Sequence, residues 1–195
     1  MNLVVAFEGI LFICCLISLN LARQAFFPAS LFWAFGAVAV GVMALLGGLK
    51  YAGYAALDGH FTMARHFAQS IGLTAFALGA VAGLFASFFS RFYWPILLLV
   101  LAGLSVALTL GYWRFPQNLQ LALMGIILLV GIIRLFSSSL LAVYLLLSVA
   151  CLVAAQHAVR WLAVNTGLEE ISVQLVLLSI AVVSFGLAAS RDEWD

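Results

Sequence analysis

Nine polar side chains in otherwise apolar stretches could do chemistry: Glu8, His66, Gln69, Ser70, Gln156, His157, Arg160, Glu170 and Gln174. An ionisable group in hydrocarbon costs roughly 2.5 to 3.5 kcal/mol on insertion scales, so such groups mark recesses, pathways or ligand contacts. Their spacing is helical. His66, Ser70 and Thr74 recur every four residues and would share one stripe, and Gln156 with Arg160 and Glu170 with Gln174 repeat the interval. Facing inward, these stripes would line a ligand-binding pocket about one to two turns deep, with Arg160 neutralising Glu8 or Glu170. Glu8, Lys50, Arg65 and Glu169 have a second reading, snorkelling into headgroups near helix ends, and Glu169 and Glu170 also suit the positive end of a helix. For Gln156, His157 and Arg160 the alternative to a ligand is interhelical hydrogen bonding.

No catalytic or metal-binding residue is assigned, and the cofactor is unknown. A hydrolytic zinc needs three ligands and an open position for water. The available donors are His60, His66 and His157 with Asp58 or Glu8, but His60 and His66 are six apart and no H-x-x-x-H pair occurs. Haem held between His66 and His157 is a sparser alternative. A retinal Schiff base is excluded because the single lysine, Lys50, ends a predicted helix. Cys14, Cys15 and Cys151 fall inside apolar runs, read as small hydrophobes, and are expected to form no disulfide.

The elements that must position these groups follow from composition. The 195 residues are 67% hydrophobic and 8% charged, where a soluble domain carries about 25% charged residues. The chain reads as a polytopic integral membrane protein, all-α, one domain over 1–195. A net charge of +1 supplies no basic field for nucleic acid. A span needs about 20 apolar residues, and seven segments qualify: Leu3 to Leu21, Pro28 to Leu49, Thr62 to Phe89, Pro95 to Trp113, Pro116 to Phe136, Ser139 to Val164 and Glu169 to Ala189. No Lys or Arg precedes Glu8, so the first segment is expected to be a retained helix and not a cleaved signal. The longest loop, Lys50 to Phe61, is expected to hold a turn or a short interfacial helix.

Punctuation agrees with these edges. Pro28, Pro95 and Pro116 each open a predicted helix, where a missing N–H is harmless. Trp33, Tyr93, Trp94, Tyr112, Trp113 and Trp161 fall near predicted ends, at headgroup depth. Gly79 and Gly83 form a G-x-x-x-G, and Gly36, Gly41, Gly47 and Gly48 thin the second span, which permits close helix contacts within a bundle or between copies. Seven spans put the termini on opposite faces. The loop arginines favour the N-terminus outside and the C-terminus in the cytoplasm, with a bacterial inner membrane as the expected setting.

One run carries a family resemblance: Ala44-Leu45-Leu46-Gly47-Gly48-Leu49-Lys50-Tyr51-Ala52-Gly53, closing the second helix of seven, with polar groups gathered in one leaflet. It resembles the superfamily of alkaline ceramidases, adiponectin-receptor-like proteins and bacterial haemolysin III relatives. That resemblance implies a seven-helix fold with zinc held for amide hydrolysis of lipids. This chain departs from the pattern at Lys50-Tyr51, where a His is expected, and at Glu170 and Gln174, where the family has a His pair. The resemblance therefore implies a member without the metal.

The expected role is binding of a lipid or small amphiphile in the polar pocket, or service as a subunit beside a membrane-protein partner; enzyme activity is not expected. The alternatives are a metal-dependent lipid hydrolase and a small-molecule transporter or channel. Transport would favour helices broken in matched halves, and no proline interrupts a predicted span.

Overall fold

The computed structural model describes residues 3–84, 93–109 and 116–191, and every regular element among them is helical. In chain order they are α1 (Leu3–Ala22), α2 (Ala29–Tyr51), a 3₁₀ turn (Ala55–Leu57), α3 (Asp58–Phe67), a π-helical turn (Ala68–Gly72) and α4 (Leu73–Leu84). Then follow α5 (Tyr93–Thr109), α6 (Gln117–Arg134), α7 (Ser139–His157), α8 (Val159–Thr166) and α9 (Glu170–Ser190). Five helical stretches are long and apolar enough to cross a membrane: Leu3–Ala22, Ala29–Tyr51, Ala55–Leu84, Ser139–His157 and Glu170–Ser190. Pro95–Ala107 and Asn118–Arg134 are apolar but shorter. Phe89, Arg91, Tyr112, Trp113, Arg114 and the acidic tail from Asp192 lie outside the described residues, as do the side chains of Tyr93 and Trp94.

Two expected spans take a different shape. The third starts earlier, because the 3₁₀ turn runs directly into α3 at Asp58, and α3, the π turn and α4 continue as one rod to Leu84. The sixth stops earlier. Ala158, with φ −109° and ψ −1°, ends α7 at His157 and redirects the chain into the eight-residue α8, which Gly167 closes in the left-handed region at φ +69°. A glycine is needed there because a side chain at that φ is strained. Pro28 and Pro116 stand at the N-caps of α2 and α6, whereas Pro95 is the third residue of α5, still within the tolerant first turn.

In space, α1 packs on α2 and α9, α2 on α4, α4 on α6, α6 on α7, and α7 on α9. That circuit closes. α5 lies against α3 and the π turn, outside it. Small residues let the ring tighten: a Cβ on Gly186 would lie 2.7 Å from the Ser18 Cα, so α9 meets α1 almost backbone to backbone. The Ser148 hydroxyl lies 2.8 Å from the Tyr144 carbonyl and 3.2 Å from that of Ala181, bonding α7 to α9.

Trp33 departs from its expected place at headgroup depth. It is 2% exposed and sits with Phe76 and Phe185 in an aromatic plug, its ring 6.0 and 5.9 Å from theirs, while Phe76 and Phe185 stack at 4.4 Å. Gly36 and Gly79 make room for that plug: a Cβ at Gly36 would come within 2.8 Å of Phe76, and one at Gly79 within 2.9 Å of Trp33. Both glycines thus serve contacts inside the bundle. Outward faces remain apolar, with Ile13 57%, Leu99 72% and Leu129 58% exposed.

Candidate functional site

Inside the ring is a cavity of about 370 Å³, within the roughly 300 to 1,000 Å³ usual for small-molecule sites. Its two ends differ in character. Toward the ends where α2 and α7 finish and α9 begins, it is lined by Glu8, Tyr51, Arg65, Gln69, Gln156, Glu170 and Gln174. Deeper along the same helices the walls are Val40, Met43, Leu73, Leu152, Leu178 and Val182, with Met124 from α6, and the aromatic pair Phe76 and Phe185 closes the floor. From Glu170 to Phe185 the lining of α9 extends for about 22 Å of helix. The cavity is therefore amphipathic along its length, wet at one end and greasy at the other.

Glu8 is the unusual member. It stands in the second turn of α1, is 2% exposed, and its Oε2 atom has no hydrogen-bond partner among the described residues. Gly47 of α2 faces it: a Cβ there would lie 2.6 Å from the Glu8 Cδ and 3.0 Å from Oε2. A side chain at this position would force the carboxyl group to shift. Arg65 is near enough to act on Glu8 electrostatically, but the two form no direct ion pair, and Arg65 remains exposed. Lys50 is engaged elsewhere, pairing with Asp58 while its Nζ lies 4.8 Å from the Phe61 ring centroid.

The π turn decides which face of the third rod meets the cavity. Phe61, Arg65, Ala68, Gln69, Leu73 and Phe76 line it, a stripe that spans the wide turn. The expected stripe of His66, Ser70 and Thr74 lies elsewhere. Ser70 is buried but donates to the His66 carbonyl at 2.6 Å, Thr74 donates to the Ser70 carbonyl at 2.8 Å, and His66 is exposed. Each hydroxyl is satisfied by its own helix.

Of the nine residues singled out by sequence, Glu8, Gln69, Gln156, Glu170 and Gln174 line the cavity, and His66, Ser70, His157 and Arg160 do not. The break at Ala158 explains the last two. A helix continuing to Val164 would carry them about two turns inside the bundle, whereas His157 ends α7 and Arg160 rides exposed on α8 beside Trp161, which is 69% exposed. Among the described residues Arg160 forms no ion pair with Glu8 or Glu170. Glu169 occupies the N-cap of α9 without a capping side-chain bond. Arg134, near the end of α6, donates to the Gly83 carbonyl, joining α6 to α4.

Arg65 and Tyr51 also line the cavity, and sequence reasoning left both out of the pocket. The interval from Arg65 to Gln69, four residues on one face, was the available signal. Among the described residues no three His, Cys, Asp or Glu side chains are grouped so as to hold a metal ion, and the three cysteines are free thiols. Compared with protein-family models, curated proteins and solved structures, the chain matches none.

Proposed function

We propose that this chain is a multi-pass membrane protein that binds a lipid or small amphiphile in the central cavity, headgroup at the polar end and tail against the aromatic floor. The observation that carries the reading is the coincidence of both halves in one cavity: Glu8, Gln156 and Gln174 at one end, Leu178, Val182 and Phe185 at the other. A soluble polar metabolite would find no partners along the deeper wall, and a purely apolar one would leave the buried carboxyl group unserved.

On this reading the five long helices and the two shorter apolar ones make seven crossings, the outward Ile13, Leu99 and Leu129 face acyl chains, and α8 lies at the headgroup level. The N-terminus then lies outside and the C-terminus in the cytoplasm of a bacterial inner membrane. Titrating the purified chain with dodecanol, a neutral amphiphile, tests the binding role. Saturable one-to-one binding, lost when Leu178→Trp fills the cavity, is the expected result; unsaturable partitioning that Leu178→Trp leaves unchanged would refute it.

A further inference from the structure

We propose that the amphiphile bound in this cavity has a cationic headgroup, a protonated amine, which docks on the Glu8 carboxylate. The inference rests on the amphiphile reading and adds the charge of the headgroup to it. Glu8 is 2% exposed, lines the cavity, and presents an Oε2 atom with no hydrogen-bond partner among the described residues. An ionised carboxylate can only accept hydrogen bonds, so what completes it must donate.

The surrounding charges select the sign. Glu170 adds a second acid at the mouth; Lys50 is paired with Asp58, and Arg65, which lines the same end, is exposed and makes no ion pair with Glu8, so two acids face one base. A carboxylate or phosphate headgroup would have to approach Glu8 against like charge. An ammonium brings three donors, one of which would meet Glu8 through a charge-assisted bond, at the cavity end that Gln156 and Gln174 also line.

The test equilibrates the full chain in phosphatidylcholine nanodiscs with dodecylammonium, dodecanol and dodecanoate at equal mole fraction, and counts adducts by native mass spectrometry. Wild type is expected to retain dodecylammonium about tenfold over dodecanol, with dodecanoate weakest. Glu8→Gln, which keeps the shape, should bring dodecylammonium retention down to that of dodecanol; Glu8→Asp should preserve part of the preference. Dodecanol retained with no ammonium preference, or a preference that survives in Glu8→Gln, overturns the headgroup assignment alone. Loss of dodecanol along with dodecylammonium in Glu8→Gln overturns it too, since Glu8 would then be structural. Retention of none of the three probes overturns the amphiphile reading itself.

Discussion

At the scale of single residues, Glu8 and Gly47 form a pair in which each explains the other. Gly48 provides the comparison, since a Cβ there would sit at an ordinary 3.7 Å from the Glu8 Cβ, against 2.6 Å from Cδ at Gly47. Gly47→Ala is therefore expected to destabilise by about 1 to 3 kcal/mol through overpacking and to weaken amphiphile binding, while Gly48→Ala does neither; thermal unfolding in detergent reads the difference. Among the polar wall residues, Gln156→Ala and Gln174→Ala should weaken binding, and His157→Ala and Arg160→Ala should leave it within about twofold. A titration of the four variants that ranks Arg160→Ala with Gln174→Ala would contradict the assignment. Glu8 was legible in the sequence because a charge inside an apolar run is costly wherever it points. The function of Gly47 was not, because it depends on which neighbouring helix presents which side chain to it.

At the scale of elements, the π turn and the break at Ala158 decide which polar side chains reach the cavity. Removing one residue, Ala68, would restore regular α-helical winding and rotate Phe61 and Arg65 by about 100° relative to Phe76. Binding should then fall to background while the variant still unfolds cooperatively; binding at the wild-type level would show that the turn does not set the wall. Neither feature could be read from the chain. Around Ala158 no Pro or Gly marks the break, and Ala68 to Gly72 sets Gln69 and Ser70 side by side, so either could belong to the stripe begun at Arg65-His66 and the pattern does not say where one extra residue widens the helix. By contrast, the ends of α1, α2 and α9 fell within two residues of expectation, since loop residues and Pro28 bound long apolar runs there.

At the scale of the whole molecule, a ring of helices whose outer face is apolar and whose centre is partly polar inverts the order of a soluble protein, as the proposed membrane setting would require. Helical content and the long apolar stretches were legible from composition alone; the ring order, with α5 outside it, was not, because apolar surface facing lipid and apolar surface facing another helix use the same residues. Seven crossings predict that reporters fused at the N-terminus and after Arg191 lie on opposite sides of the membrane, and reporters on the same side would refute that count. The central claim, an amphiphile held within the ring, is tested most directly by purifying the chain in mild detergent beside the Leu178→Trp variant and identifying co-purifying small molecules by mass spectrometry. The account predicts one amphiphile in near one-to-one ratio with wild type and absent from the variant; no retained molecule, or equal retention by both, would contradict it.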